Sequence, residues 1–401
     1  MRTLLSALLL VPAMARAADE PKLNQLTPKE IEAGWILLFD GKTTFGWSAP
    51  EDSKWKIEEG ALVPEGDKPS TLVTTTAFGD YELAFEYKAK TPDWKLLLRS
   101  DAKGGQPGGG LLPGPSRETK DWWKVRVTVE GAKTTEHRAD LPGSSIGYVS
   151  LRSDPIGEGK RDSGHIAVTG TGFTIRNIKL RPLKPTALFN GKDLKGWKLF
   201  EGDAARKKSE FTVTKDGWLG VKNGPGDLQS EGQWADFLLQ LECKTNGKNL
   251  NSGIFFRCLP GEYQMGYEAQ VHNGFQEAEK EYTLEIYDPA THELKEKRKE
   301  KFKAIDYGTG AIYRRIPARF QVSKDDEWFA MTVAAQARHL ATWVNGVQVV
   351  DWTDNRPLAA NARQGAYLKK GPISIQGHDP TTDLLFRNFR IAEVKPMPEM
   401  K

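Results

Sequence analysis

The chain contains one short pattern twice: Leu38-Phe39-Asp40-Gly41-Lys42 leading to Gly46-Trp47, and Leu188-Phe189-Asn190-Gly191-Lys192 leading to Gly196-Trp197. Each copy of the pattern combines a short apolar strand, a turn at Asp-Gly or Asn-Gly, where a positive φ is tolerated, and an aromatic residue after a glycine. The copies lie about 150 residues apart, which suits whole domains rather than solenoid units with periods of about 20 to 50 residues. We therefore read the chain as one fold present twice, each copy opening on a structural strand and turn without reactive groups.

The composition favours an all-β protein of about two to three domains. The 401 residues are 38% hydrophobic and 27% charged, as in ordinary soluble proteins. The 39 glycines, 23 prolines and 10% aromatic residues favour short strands joined by many turns. The net charge of +4 is spread over segments of mixed sign, which gives no indication of nucleic-acid binding. The basic run from Lys295 to Lys303 alternates with Glu296 and Glu300, which favours a solvated hairpin or insertion.

The first 17 residues, Met1–Ala17, have the features of a secretory signal peptide. Arg2 precedes the apolar run Leu4–Val11, and Ala15-Arg16-Ala17 offers a small-x-small cleavage site. No cysteine stands at that junction for lipid attachment, and no later stretch approaches the roughly 20 apolar residues that a membrane helix needs. We expect an exported soluble protein, periplasmic or extracellular, without a membrane span.

Period-two alternation of apolar and polar residues divides the rest of the chain into two β-rich repeats. Residues 18–33 form a polar leader, in which Thr27-Pro28-Lys29-Glu30 can cap one helical turn. The first repeat runs from about 34 to 182, with a Gly- and Pro-rich loop from Gly104 to Pro115, and the second repeat runs from about 186 to 396. Strands are predicted at 55–57, 61–63, 81–87, 96–100, 122–129 and 173–178, and at 211–213, 237–242, 254–257, 328–333 and 385–391. Many short strands at this spacing favour a two-sheet sandwich or jelly roll in each repeat.

The second repeat carries a block that the first repeat lacks. About 70 residues separate Arg257 from Trp328, whereas about 22 separate Arg99 from Trp122. If only one repeat has kept a functional site, this block is where we expect it.

A polar strand face lies within that block. If Tyr267–His272 is a strand, Glu268, Gln270 and His272 share one face. A carboxylate, an amide and an imidazole in this arrangement form either a solvent-exposed face or the floor of a polar cleft. Further polar candidates stand at strand ends or in loops: Asn251, Arg257, His378, Asp379 and Arg387. Structural roles are the alternative to a functional one: the arginines would be surface residues paired with carboxylates, and His378-Asp379 would be a turn capped by the aspartate.

The signatures of several other enzyme classes are absent from the sequence. It contains no phosphate-binding loop, His-Glu-x-x-His or cysteine metal knuckle. The lack of a Glu-x-Asp-x-x-Glu strand also weakens ordinary retaining glycosidase chemistry. Cys243 and Cys258 flank a polar turn, so they are either a bridge between paired strands or two buried free thiols.

The second repeat resembles a known protein family from its opening pattern onward. The chain resembles the 3-keto-disaccharide hydrolase family, also called domain of unknown function 1080. The matching motifs are Leu188–Trp197, Asn251–Arg257, Tyr267–Gln270, Gly310–Tyr313, Trp343–Val347, Gly371–Ile373 and Phe386–Phe389. The first repeat keeps the opener, the Gly79–Leu83 strand and the Arg176–Ile178 ending but lacks the central motifs, so it resembles a degenerate copy.

The resemblance implies a fold similar to concanavalin A-like lectins and glucanases. It also implies cleavage of glycosides that carry a 3-keto group, by hydrolysis or by elimination across C1 and C2. A ketone at C3 acidifies the hydrogen on C2, so the site needs a base, a donor to the enolate oxygen and an acid for the leaving group.

We assign these roles to the polar candidates as a hypothesis. His272 or His378 acts as the base, and Arg257 or Asn251 as the enolate donor. Glu268 and Asp379 are orienting groups or the leaving-group acid, and the remaining candidates, Gln270, Tyr313 and Arg387, bind substrate.

Two other function classes stay open alongside the enzyme. One is a non-catalytic carbohydrate-binding protein, for which Trp94, Trp122 and Trp123 of the first repeat would supply aromatic platforms. The other is a structural extracellular module. The expected partner is a carbohydrate, the oligomeric state is open, and the sequence requires no cofactor, although a calcium site of oxygen ligands would leave no fixed spacing.

Overall fold

Strands dominate the computed structural model, which describes residues 22–105, 107–115, 118–139 and 161–395. The predicted signal peptide at Met1–Ala17 lies outside the described residues. The leader contains the expected helical turn, α1 (Pro28–Glu32), in which the Thr27 side chain accepts from the Glu30 backbone and Glu30 reaches back to Thr27. In the described part of the chain, no helix is long and apolar enough to cross a membrane.

The first repeat is a sandwich of two antiparallel sheets. Its strands are β1 (Ile36–Leu37), β2 (Trp47–Ser48), β3 (Trp55–Glu58), β4 (Ala61–Pro64), β5 (Ser70–Thr74), β6 (Tyr81–Ala89), β7 (Trp94–Ser100), β8 (Gly110–Pro113), β9 (Trp123–Glu130), β10 (Lys133–Ala139), β11 (His165–Gly170) and β12 (Phe173–Pro182). Among these described strands, one sheet has the order β10-β9-β6-β12-β4-β3, with β1 also paired to β12, and the other has the order β2-β5-β11-β7-β8.

One part of the first repeat differs from the prediction. The segment Gly104–Pro115 was predicted to be a loop throughout, but it contains β8, which pairs with β7 at the edge of its sheet. An edge strand tolerates the glycine at its start and the proline at its end, because Pro113 does not need to donate to a further strand. The Gly and Pro content therefore concealed a real strand.

The second repeat has the same two-sheet architecture. Its strands are β13 (Thr186–Ala187), β14 (Trp197–Leu199), β15 (Glu210–Val213), β16 (Leu219–Lys222), β17 (Gly226–Ser230), β18 (Phe237–Thr245), β19 (Ser252–Phe256), β20 (Tyr267–Val271), β21 (Phe275–Tyr287), β22 (Leu294–Ala304), β23 (Phe329–Gln336), β24 (His339–Val344), β25 (Val347–Thr353), β26 (Ser374–Gly377) and β27 (Asp383–Glu393), with a short 3-10 turn at Ala204–Arg206. One sheet has the order β15-β16-β27-β18-β23-β24-β25, with β13 on β27, and the other has the order β14-β17-β26-β19-β20. Both repeats are β-sandwiches of jelly-roll type, which confirms the predicted fold class.

The charged run predicted as a hairpin or insertion is a long two-stranded hairpin, β21–β22. Cross-strand ion pairs line it, including Lys299 with Glu281 at 2.9 Å and Lys297 with Glu285 at 3.3 Å. At its tip, the ring nitrogen Nδ1 of His292 lies 3.0 Å from the backbone oxygen of Asn355, which ties the hairpin to the body of the second repeat.

The two repeats share part of their hydrophobic core. Leu238, Ala334, Ala341 and Trp343 of the second repeat pack into the cluster formed by the first repeat. The indole Nε1 of Trp343 donates to the backbone oxygen of Leu37 at 3.0 Å. Because these side chains are buried against the other repeat, the two sandwiches form one continuous packed unit.

Candidate functional site

The sheet β14-β17-β26-β19-β20 has one apolar face and one polar face. Side chains alternate along each strand, so Leu228, Ile375, Ile254 and Ala269 enter the core of the sandwich. The register aligns the opposite face in two rows across four strands: Gln229, Ser374, Phe255 and Glu268 in one row, and Asp227, Gln376, Gly253 and Gln270 in the next. We call these residues the polar face.

The polar face is covered, although it points away from the core. Asp227, Gln270 and Ser374 are 1% exposed or less, and Glu268 is 6% exposed. Two of its buried amide oxygens, Gln270 Oε1 and Gln376 Oε1, have no hydrogen-bond partner. A buried polar atom left without a partner costs about 1–3 kcal/mol. Their grouping on one face therefore indicates a ligand site, and oxygens of this kind accept hydrogen bonds from hydroxyl groups.

Two carboxyl groups on the polar face hold their protons unusually tightly. Burial raises the pKa of Glu268 to about 8, and the neighbouring Arg363 opposes this rise. Burial also raises the pKa of Asp227 to about 7, against the backbone N–H of Gln264, which donates to it at 2.9 Å. At neutral pH, Glu268 is therefore predominantly the neutral acid, which can donate a proton.

Gly253 makes room for the Glu268 carboxyl at the centre of the face. A Cβ at position 253 would lie 2.6 Å from Glu268 Oε1, closer than real Cβ contacts. The carboxyl thus lies above Gly253. Gly253 is on β19, which lies between β20 with Gln270 and β26 with Gln376. This arrangement brings an acid and the acceptor oxygens of two amides to one place.

Two histidines stand at one end of the polar face. β20 and β26 are both antiparallel to β19, so His272 and His378, which follow them, lie at the same end of the sheet. Asn251, just before β19, lies there too and donates to Asp306 Oδ2 at 2.9 Å. The proximity of His378 contributes to lowering the pKa of His272, although burial is the larger cause.

The two histidines present different ring nitrogens. His272 Nδ1 accepts from the backbone N–H of Gly274 at 3.2 Å, so the neutral ring carries its proton on Nε2. His378 Nδ1 lies 2.7 Å from Asp379 Oδ2, and an Nδ1–H donor in this pair leaves Nε2 with a free lone pair. His272 is thereby arranged as a donor and His378 as an acceptor of protons.

A family model matches most of the chain, at residues 34–181 and again at 184–392. It describes the 3-keto-alpha-glucoside-1,2-lyase-like domain. The chain belongs to this family, with two tandem domains. Membership in the 3-keto-alpha-glucoside-1,2-lyase-like family identifies a carbohydrate-active protein.

Several solved structures are similar to one domain of this family member. A candidate glycosyl hydrolase from Parabacteroides distasonis is 21% identical, covering 52% of this chain and 94% of its own, with a TM-score of 0.39. The carbohydrate-binding module CBM66 from Bacillus subtilis is 13% identical, covering 49% and 96%, with a TM-score of 0.30. A β-1,3-1,4-glucanase derived from a mouse hindgut metagenome is 14% identical, covering 52% and 98%, with a TM-score of 0.30. The search of curated proteins found no match.

In the first 3-keto-alpha-glucoside-1,2-lyase-like domain, one of the two rows of the polar face is apolar. In its corresponding sheet, the row that matches Gln229, Ser374, Phe255 and Glu268 consists of Val73, Ala167, Leu97 and Leu111. These four apolar side chains pack on one another in a small cluster. Leu111 therefore occupies the position of Glu268, and this face of the first repeat has no acid to donate.

Arg257 does not belong to the candidate site. Its side chain is fully buried and makes four hydrogen bonds, to the backbone oxygens of Ala235, Ala337 and Tyr367 and to Asp236 Oδ1. Arg99 of the first repeat is buried with an equivalent aspartate, Asp80, and both arginines have a left-handed φ near +50°. Because both repeats keep this arginine in the same surroundings, its role is structural. Its position does not support the predicted role as an enolate donor.

Arg387 also lies away from the polar face. It sits on β27 of the other sheet, where it donates to Glu242 Oε2 and stacks over Trp328 at 4.1 Å. The first repeat has the same arrangement, with Arg176 paired to Glu86 and stacked over Trp122 at 3.7 Å. The prediction that Arg387 binds substrate is therefore not supported by its position.

The other predicted residues divide between the two ends of the polar face. Glu268, Gln270 and His272 share one side of β20, as the alternation predicted, and Asn251 accepts from Gln270 at 3.3 Å. Tyr313 lies beyond Glu268, where its backbone N–H donates to the Glu268 backbone oxygen at 2.9 Å. His378 and Asp379 form their pair at the histidine end.

Sequence analysis missed Asp227, Gln376 and Arg363. The first two follow the same period-two signal as β20, since Asp227-Leu228-Gln229 and Ser374-Ile375-Gln376 alternate polar and apolar residues. Arg363 stands in a loop with no periodic signal. Its Nη2 lies 3.7 Å from Glu268 Oε2.

The cysteines and one of the three tryptophans proposed as aromatic platforms are buried. Cys243 and Cys258 are buried free thiols, the second of the two alternatives from the sequence. Trp94 is 1% exposed and stacks on Phe173, so it belongs to the core of the first repeat. Within the described residues, no group of three or more His, Cys, Asp or Glu side chains is placed to hold a metal ion.

Proposed function

We propose that this chain is an exported enzyme that cleaves 3-keto-glycosides on the polar face of the second repeat, by removing the C2 proton and eliminating across C1 and C2. The observation that carries this proposal is the buried Glu268 carboxyl, with its pKa raised to about 8, beside two amide oxygens that lack hydrogen-bond partners. Family membership supports the substrate class. Export rests on the signal-like sequence of Met1–Ala17.

The reaction needs three proton-handling groups. The base takes the C2 proton, and the electrons of the C2–H bond move onto the C3 carbonyl to form an enolate. When the enolate collapses, the C3 ketone re-forms, C1 and C2 become doubly bonded, and the C1–O bond electrons pass to the leaving oxygen. That oxygen then takes a proton from the acid. Addition of water across the new double bond would complete a net hydrolysis.

We assign the base to His378. Asp379 orients its ring and stabilises the imidazolium that forms, as the 2.7 Å contact at Nδ1 allows. The free Nε2 then takes the proton from C2. His272 is assigned as the enolate donor, because a neutral imidazole with its proton on Nε2 can donate to a developing oxyanion.

Glu268 is assigned as the acid for the leaving oxygen. A carboxyl kept protonated at neutral pH by burial is suited to this role. Around it, the amide oxygens of Gln270 and Gln376 offer acceptors to the sugar hydroxyls. Binding then gives these buried oxygens hydrogen-bond donors.

The test compares methyl 3-keto-α-glucoside with methyl α-glucoside, measured by release of methanol, because an alkyl leaving oxygen depends on protonation by the acid. We expect the 3-keto compound alone to be cleaved, because only its C2 hydrogen is acidic. Glu268→Gln should lower kcat by roughly 10²- to 10⁴-fold, the usual contribution of a general acid. The matched control is Glu262→Gln, an exposed glutamate in the loop before β20, which should retain full activity.

Two outcomes would contradict the proposal. Equal cleavage of the ordinary glucoside would show that the reaction does not depend on the C3 ketone. Full activity in Glu268→Gln would show that Glu268 is not the acid. Glycan binding without any cleavage would favour the carbohydrate-binding alternative.

A further inference from the structure

A small cavity opens beside Glu268, at the end of the polar face opposite the histidines. Its volume is about 110 Å³, several times the roughly 30 Å³ that one water occupies in the liquid. We call it the arginine cavity, and the residues that the argument uses from its lining are Glu268, Tyr313, Arg314, Arg315 and Arg363.

The three arginines of this cavity lack a full carboxylate partner. Among the described residues, neither Arg314 nor Arg315 has a carboxylate oxygen within ion-pair distance, and Arg315 Nη2 donates instead to the backbone oxygen of Arg363 at 3.0 Å. Arg363 has only Glu268, at 3.7 Å. The buried arginines nearby are different, since Arg356 binds Asp354 at 2.7 Å and Arg257 binds Asp236 at 2.9 Å.

Glu268 does not neutralise the arginine cavity at neutral pH. Burial raises the pKa of this carboxyl to about 8, so it is mostly uncharged there. Arg314, Arg315 and Arg363 therefore line one space beside a carboxyl that is mostly uncharged at neutral pH. Burial and the neighbouring Arg356 lower the pKa of Arg315, against the more distant carboxylates of Asp354 and Glu285, which raise it.

We propose that the arginine cavity is a subsite for an oxyanion carried by the leaving group of the glycoside. The assignment of this cavity to the leaving group rests on the proposed function. In that function, Glu268 protonates the leaving oxygen and the sugar ring lies towards the histidines. A carboxylate, sulfate or phosphate fits the cavity by size, and guanidinium groups bind such anions with paired hydrogen bonds. Substrates with an acidic aglycone are then preferred over neutral ones.

The first experiment measures binding without turnover. The probes are the ordinary α-glucoside of 4-carboxyphenol and its neutral methyl ester, titrated calorimetrically at low ionic strength. We expect the carboxylate to bind at least about tenfold more tightly, with the preference shrinking in high salt as the charges are screened. Arg314→Gln and Arg363→Gln should each reduce the preference severalfold. The control is Arg298→Gln in the exposed hairpin, where the arginine already pairs with Glu296.

The second experiment compares kcat/KM for the 3-keto forms of the same two probes. We expect the same roughly tenfold preference and the same loss in the two arginine variants. Equal binding of the two probes, no binding of either, or a preference that both variants retain would overturn the arginine cavity as an anion subsite. Cleavage of both 3-keto probes at equal rates would overturn the preference but leave the proposed function standing. Preferential binding without cleavage would overturn the proposed function and leave the anion subsite standing.

Discussion

Glu268 is a residue whose chemistry is set by its surroundings rather than by its type. In water a glutamate is ionised at neutral pH, but burial against Gly253 raises its pKa to about 8. Arg363 opposes that rise from 3.7 Å without reversing it. One residue can therefore act as an acid at a pH where exposed glutamates have already lost their protons.

This pKa predicts how activity depends on pH. Glu268 must hold its proton to protonate the leaving oxygen, so we expect kcat for a 3-keto-glucoside to fall as pH rises through about 8. The residual activity of Glu268→Gln should lack that fall. The measurement is kcat across the range from about pH 6 to 10 for both proteins. A wild-type profile that stays flat through this range would contradict the role of Glu268 as the acid.

The same pKa predicts the pH dependence of stability. The folded chain keeps the Glu268 proton after the unfolded chain has lost it, so the unfolded state binds fewer protons between the ordinary value of 4.5 and about 8. This group therefore lowers the free energy of unfolding progressively as pH rises across that window. Denaturant unfolding should show a steeper decline for wild type than for Glu268→Gln, and parallel curves would contradict the raised pKa.

The strands explain how much of the site could be predicted from sequence. Alternation within β20 correctly grouped Glu268, Gln270 and His272, because a strand's own sequence fixes which side chains share a face. It could not reveal that β17 and β26 lie in the same sheet, since pairing order is set by the whole fold. Asp227 and Gln376 were missed for that reason, although their strands have the same alternation.

Arg257 illustrates the opposite error. It ends a matched motif and carries a charge, so it was assigned as an enolate donor from the sequence. Its partners are mainly backbone oxygens from three separate segments, at Ala235, Ala337 and Tyr367. Backbone groups leave no residue-type signal, so a buried structural arginine of this kind cannot be distinguished by its sequence from a functional one.

The pairing of β19 with β20 makes a prediction about Gly253. We expect Gly253→Ala to displace the Glu268 carboxyl, because the new Cβ would lie 2.6 Å from Oε1. Activity towards a 3-keto-glucoside should fall at least about tenfold, as misplacement of a catalytic group usually causes. The melting temperature should fall as well, because the new Cβ would also lie 2.9 Å from Glu268 Cγ in a buried position. Gly247→Ala is the control, because its Cβ would meet Leu250 no closer than 3.4 Å. Full activity in Gly253→Ala would contradict the close packing of the Glu268 carboxyl against Gly253.

At the scale of the whole molecule, the two repeats have divided their roles. The first repeat has apolar residues in the row where the second has Glu268, and the second has the inserted hairpin and the arginine-bearing loop. Yet the second repeat packs Trp343 into the core of the first repeat, against the strand around Leu37. The domain without a counterpart of Glu268 is thus a packing partner of the domain that has it.

This shared core predicts that the repeats unfold together. Trp343 is 1% exposed and donates to Leu37 of the other repeat, so Trp343→Ala should destabilise the chain by about 3–5 kcal/mol. Because the lost contacts belong to both sandwiches, calorimetry should show one transition that moves as a unit to lower temperature. Trp352→Ala, at a half-buried tryptophan packed only on the core of the second repeat, should cost less. Two separate transitions, with only one of them shifted by Trp343→Ala, would mean that the sandwiches unfold independently. The packing of Trp343 against the first repeat would then not couple them.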